Sequence, residues 1–203
     1  MSDKEISYQV VEIFYSLQGE GWLQGLPMVF IRFSGCNLHC SFCDTRFART
    51  GGKEMRLEEI MEEVSRHGCP RICLTGGEPF RQKLAPLVMA LKKAGYWVSA
   101  ETNGTIWQKV NLDWLTVSPK REGRKFHPAG YDRHFRDKAS EFKYVITRGS
   151  DFNLIDSNLP CPVILQPVNN SPKAIKLITG FLMRHYDRRY FLRLQLHKVI
   201  GLK

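Results

Sequence analysis

The stretch SGCNLHCSFCDT (residues 34–45) sets Cys36, Cys40 and Cys43 at x3 and x2 spacing. Three thiolates this close can wrap one small inorganic centre, because the loop is too tight for independent sites. A structural zinc ion is normally closed by four protein ligands. Here the fourth would be His39, inside the loop, or a distant Cys or His. An iron–sulfur cubane normally takes four cysteines, so three would leave one iron open to bind something else. The spacing by itself leaves both readings open. Cys69, Cys73 and Cys161 read as buried packing residues. A disulfide framework belongs to small secreted chains, and the polar start MSDKEISYQ does not read as a leader peptide.

A second candidate is Thr75-Gly76-Gly77-Glu78-Pro79, at the end of an apolar, strand-like run. Glycines there let backbone groups approach a ligand with no Cβ in the way, and carbonyls with a carboxylate suit an ammonium group. Arg32 could pair through its guanidinium fork with a carboxylate. The net charge of +10 favours acidic partners, whether nucleic acid or a small carboxylated or phosphorylated molecule.

The elements that must hold these residues alternate. Strand-like runs occupy 27–35, 71–79, 96–104, 114–120, 141–147 and 161–168, after a first apolar stretch near residue 10. The segment YFLRLQLHKVIGL reads as a final strand. Helical spacing links Leu57, Ile60, Met61 and Val64, then Leu84, Leu87, Val88 and Leu91, and finally Ile175, Ile178, Leu182 and His185. Gly68 and Gly95 follow the first two as stop signals. Residues 121–140 show no stripe and read as a loop, basic by six Lys/Arg against three Asp/Glu.

Such alternation predicts an α/β fold with a parallel sheet. About six parallel strands with fewer helices fit an abbreviated, open β/α barrel, a partial TIM-like barrel, and a small doubly wound sheet is the competing architecture. The cysteine loop, TGGEP, ETNG, SPK, LQP and QLHK all follow strands, which is where a β/α barrel builds its active site. No linker or repeat divides the chain, so residues 1–203 read as a single domain. No apolar run approaches the ~20 residues that cross a bilayer, and the expected location is the cytoplasm.

C-x3-C-x2-C after the first barrel strand, with Phe42 just before the last cysteine, resembles the radical S-adenosylmethionine superfamily. That resemblance implies a 4Fe–4S cluster on Cys36, Cys40 and Cys43, with the open iron chelated by S-adenosylmethionine, whose one-electron cleavage gives a 5′-deoxyadenosyl radical. Within the superfamily the ordered set LQGEG (17–21), Arg32, CDT (43–45), TGGEP (75–79), ETNG (101–104), SPK (118–120), Gln166-Pro167 and QLHK (195–198) is similar to the 7-carboxy-7-deazaguanine synthases.

That family implies a ring contraction. 6-Carboxy-5,6,7,8-tetrahydropterin loses hydrogen at C6, rearranges and releases ammonia to give 7-carboxy-7-deazaguanine, in queuosine-type biosynthesis. It implies Mg2+ on Thr45 and the substrate carboxylate. Leu17, Gln18, Gly19, Glu20, Arg32, Thr75 and His197 would meet the pterin. Phe42, Asp44, Gly77, Glu78, Ser118, Pro119, Lys120, Gln166 and Pro167 would hold S-adenosylmethionine. A homodimer and a flavodoxin-type electron donor are implied as partners, with no membrane and no direct nucleic acid.

Two rivals differ in class. A glycyl-radical-enzyme activating enzyme shares the cysteine spacing, but LQGEG and QLHK speak against it. A zinc-stabilised nucleic-acid-binding module would explain the charge and the cysteines but leaves TGGEP, SPK and the alternation unexplained.

Overall fold

The computed structural model describes residues 6–122, 130–186 and 189–202. The centre of the basic loop, 123–129, lies outside the described residues. These contain nine strands and four α-helices in two compact units.

The first unit comprises Met1–Ser16, Pro27–Glu101 and Gln108–Asp113. Its strands are β1 (Ser7–Leu17), β2 (Pro27–Phe33), β3 (Lys53–Arg56), β4 (Arg71–Gly76) and β5 (Trp97–Thr102), in the order β3-β1-β2-β4-β5. β2–β4 and β4–β5 are parallel, and β3 pairs antiparallel with β1. Met28 to Ile31 and Ile72 to Leu74 are buried, as expected of parallel strands covered on both faces.

Helix α1 (Leu57–Ser65) buries Ile60 and Val64, one turn apart on one face. The Glu59 carboxylate accepts from the Arg56 backbone N–H at 2.7 Å and so caps its start. Helix α2 (Leu84–Lys93) buries Leu84, Leu87, Val88 and Leu91, each contributing about 1.5–3 kcal/mol. Gly95, at φ 88°, ends it in the left-handed conformation that costs glycine little. Lys83, at its N-cap, offers no side-chain cap. Gln108 serves instead: its Oε1 accepts from the Leu84 N–H at 3.1 Å, while its Nε2 donates to the carbonyls of Phe80 and Gln82 at 2.8 and 2.7 Å.

The second unit comprises Leu17–Leu26, Thr102–Trp107 and Trp114–Lys203. Strands β6 (Trp114–Val117), β7 (Glu141–Ile146), β8 (Val163–Pro167) and β9 (Tyr190–Leu192) lie in that order, all parallel. Every residue of β8 is buried. Helix α3 (Pro172–Leu182) buries Ala174 and Ile178.

The α/β class, the open parallel arrangement and the excess of strands over helices are as the sequence predicts. Two details differ. Polar β3 (KEMR) carries only Met55 as a buried residue, so no hydrophobic alternation announces it. The C-terminal segment is not one strand: β9 stops at Leu192, and helix α4 (Leu196–Ile200) follows. After β9 the chain turns away because the Gln195 N–H donates to Asn170 Oδ1 at 2.7 Å. Gly201, at φ 69°, then closes α4 with a Leu202 N–H bond to the His197 carbonyl.

Candidate active site

In the first unit the chemistry gathers at the C-terminal ends of β2 and β4. Register sets Arg32 opposite Thr75 and Phe33 opposite Gly76. The cysteine loop leaves β2 and returns through a 3-10 turn (Arg46–Arg49). Cys40 is buried, Cys36 and Cys43 are half-buried, and none of the three is in a disulfide. Arg49 donates to the Cys40 carbonyl at 2.9 Å, and Arg46 donates to that of Ser41. Thr45, at the N-cap of the turn, has its hydroxyl 3.7 Å from Cys43 Sγ. Phe42 is half-buried and Asp44 exposed. Burial pushes the Cys36 thiol up, and the nearby Glu78 carboxylate and Cys43 add to this. A bound cation would reverse that effect.

The TGGEP turn packs directly on this loop. The Gly77 N–H donates to the Phe33 carbonyl at 3.0 Å, and the Glu78 N–H to that of Gly35 at 2.8 Å. A Cβ on Gly77 would lie 2.2 Å from the Gly35 oxygen, and one on Gly76, at φ +122°, 2.4 Å from that of Phe33. Only glycine permits such an approach. Glu78 is fully buried, and its carboxylate caps the following 3-10 turn by accepting from the Phe80 N–H at 3.0 Å. Thr75 donates to Glu101 at 2.9 Å. Arg32 pairs through Nε with Glu12 at 2.8 Å and lies over the rings of Phe14 and Phe47, 5.2 and 5.5 Å from their centroids.

In the second unit a separate set forms around Glu20. Leu17 closes β1, and the 18–26 loop is pinned by Gln18, whose N–H donates to the Leu26 carbonyl at 2.8 Å. The Gly19 carbonyl accepts from Leu196 N–H at 2.8 Å. A Cβ on Gly19 would meet His197 Nδ1 at 2.2 Å, so the LQGEG and QLHK segments touch. Lys143 of β7 donates to Glu20 at 2.6 Å, with side-chain exposures of 6% and 17%. Gln195 donates to the other oxygen at 2.7 Å, and Gln166 also hydrogen-bonds the carboxylate. Burial raises the Glu20 pKa, but these partners outweigh it and hold the group at about 2.

Among the described residues, Gln166 Oε1 is buried with no hydrogen-bond partner. Ser118 donates to the Lys143 carbonyl at 2.8 Å and accepts from Lys120. Pro119 and Pro167 are buried beside these residues in sequence.

Lys143 and Glu12 lie outside every motif, while Gln195 and Glu101 open QLHK and ETNG but receive no role of their own from motif reading. For Lys143 one signal exists: a lone cation inside the strand EFKYVI, which is buried at nearly every position, requires a counter-charge.

Residues 30–130 match the model of the radical SAM superfamily. With the cysteine loop at the end of a parallel strand and a glycine turn against it, this defines the class as a radical S-adenosylmethionine enzyme. The chain is 41% identical over 195 residues to a 7-carboxy-7-deazaguanine synthase of Bacteroides thetaiotaomicron, covering 96% of this chain and 98% of that one. Synthases of the same name from Haemophilus influenzae (32%, covering 99% and 97%) and Aquifex aeolicus (33%, covering 95% and 93%) also align. The crystal structure of QueE from Escherichia coli superposes with a TM-score of 0.79 at 26% identity, covering 94% of this chain and 95% of that one. The chain belongs to the 7-carboxy-7-deazaguanine synthase family.

Membership makes it a radical SAM lyase and implies a 4Fe–4S cluster and S-adenosylmethionine. The donor set fits: three unbridged thiols share one loop, and glycines bring backbone against that loop. No helix among the described residues is long and apolar enough to cross a membrane.

Proposed function

We propose that this chain converts 6-carboxy-5,6,7,8-tetrahydropterin to 7-carboxy-7-deazaguanine and ammonia, as a step of queuosine or related 7-deazapurine biosynthesis. The observation that carries the reading is the 41% identity spanning 98% of a relative named for that product. The cluster and S-adenosylmethionine supply the hydrogen-abstracting radical. What this chain supplies is binding and orientation.

Cys36, Cys40 and Cys43 hold the cluster, and Thr45 holds Mg2+ together with the substrate carboxylate, a hard cation on oxygen ligands. Arg32, fixed through Nε by Glu12, offers the remaining edge of its guanidinium to that carboxylate. Leu17, Gln18, Gly19, Glu20, Thr75 and His197 complete the pterin contacts. Phe42, Asp44, Gly77, Ser118, Pro119, Lys120, Gln166 and Pro167 hold S-adenosylmethionine, and Glu78 serves it through the turn that its carboxylate caps. The chain works as a single domain and a homodimer in the cytoplasm, reduced by a flavodoxin-type donor.

The test is anaerobic reconstitution with iron and sulfide, then dithionite, S-adenosylmethionine, Mg2+ and the pterin, with mass spectrometry of the products. Both 5′-deoxyadenosine and 7-carboxy-7-deazaguanine are expected. Deoxyadenosine alone would overturn the substrate and redirect attention to a protein substrate. A colourless, zinc-loaded protein would overturn the cluster.

A further inference from the structure

Lys143 lies in the middle of a buried strand, and its ammonium is directed into the fold rather than to water. A buried ammonium costs several kcal/mol unless it is paired and hydrogen-bonded, so a lysine here needs a reason beyond filling space. Its partner Glu20 sits in the 18–26 loop, which the fold already ties down without it. Gln18 and Leu26 close that loop by backbone bonds, and Glu141 accepts from the Trp22 N–H at 2.8 Å. The Lys143–Glu20 pair is therefore not required to shut the loop.

What the pair does is fix the direction of one carboxylate. Lys143 takes Oε2, Gln195 takes Oε1, and Gln166 adds a third bond. Gln195 is itself held at both backbone ends of its contact with Asn170, at 2.7 and 2.9 Å, and its Oε1 accepts from Lys198 at 3.1 Å. A carboxylate has about four lone-pair sites, so three bonds orient Glu20 and leave acceptor capacity. An oriented carboxylate in a buried, polar setting matches a ligand edge that carries N–H donors, which an aminopyrimidine ring has.

We infer that Lys143 is a positioning residue for the reaction, holding the Glu20 carboxylate as a rigid acceptor for the N–H donors of the pterin ring. This rests on the proposed assignment of Glu20 to substrate. In this role Lys143 acts through Glu20, to which its ammonium donates at 2.6 Å.

The experiment compares reconstituted wild type, Lys143→Met and Lys143→Arg for steady-state turnover of the pterin, with thermal unfolding in parallel. Loss of a charged hydrogen bond that orients a binding group corresponds to roughly a ten- to hundred-fold change. Lys143→Met is therefore expected to raise KM for the pterin by that factor, more than it lowers kcat, the signature of lost ground-state binding. KM for S-adenosylmethionine is expected to change by less than about threefold. Lys143→Arg, which keeps the charge, is expected to recover most of the loss in KM.

A purely structural lysine would lower the folded fraction, and with it apparent kcat, while leaving KM for the pterin unchanged. That result in Lys143→Met would overturn the inference. So would a Lys143→Arg protein with the same raised KM as Lys143→Met. If Lys143→Met does not fold, Lys143→Arg and Lys143→Gln carry the comparison with the same two outcomes. Wild type that makes deoxyadenosine but leaves the pterin intact would overturn the functional reading and this inference with it. Wild-type turnover with an unchanged variant KM would overturn this inference alone.

Discussion

At the scale of residues, the three cysteines and the Glu20 cluster obey opposite electrostatics. Cys36 sits where burial and neighbouring acids resist a thiolate, an environment suited to a positively charged centre. Replacing Cys36, Cys40 or Cys43 singly by Ala is expected to remove the brown cluster absorbance and deoxyadenosine formation together. Absorbance after anaerobic reconstitution checks this, and a variant that keeps a full four-iron cluster would argue against the ligand set. Glu20 is the reverse case, a carboxylate stabilised by a buried cation.

Its folded value of about 2 lies below its reference value of 4.5. Glu20 therefore contributes its full stability above about pH 4.5, and this is lost as pH falls toward 2. Removing one partner of a buried pair costs about 3–5 kcal/mol. Glu20→Gln should thus unfold at a lower denaturant concentration than wild type at pH 7, with a deficit that shrinks below pH 4.5. A deficit independent of pH would show that the charge of Glu20 is not what stabilises the fold.

At the scale of elements, two short connections decide whether the site forms. The turn after β4 touches the cysteine loop through glycine backbone, so Gly77→Ala forces Cβ against a carbonyl oxygen that cannot yield cheaply. A cost of about 1–3 kcal/mol is expected from such overpacking, with faster loss of iron under a chelator. Unchanged stability and iron retention would mean that the turn can shift without harm. Gln108 is the second connection, a side chain that caps α2 and ties down the 3-10 turn following TGGEP. Gln108→Ala leaves three backbone groups without these partners and should cost about 1–3 kcal/mol. Hydrogen exchange should quicken at the Leu84 amide and the first turn of α2 while the β4 amides stay protected. Equal protection in both proteins would reject this capping role.

At the scale of the whole molecule, the net charge of +10 predicts that reduction by an acidic flavodoxin-type protein slows as salt rises. Long-range attraction is screened within about 8–10 Å near physiological ionic strength. Stopped-flow reduction of the cluster at low and high salt reads this out, with dithionite as the small-molecule control. A flat dependence would mean that the donor docks without help from the protein's field.

The sequence by itself determined the class of the fold and the identity of the motifs. Strand and helix periodicity is local, and C-x3-C-x2-C, TGGEP, LQGEG and QLHK can each be read from a few adjacent residues. It did not show β3, whose four residues carry one apolar side chain, nor the break between β9 and α4, which a contact from Asn170 enforces. It named Glu20 and Gln166 but assigned them to different ligands. Only the tertiary structure decided that they share one hydrogen-bonded cluster with Lys143 and Gln195. The physical reason is sequence distance: Glu20 meets a lysine 123 positions away and a glutamine 175 away. No pattern within one segment records which distant donor will neutralise a buried carboxylate.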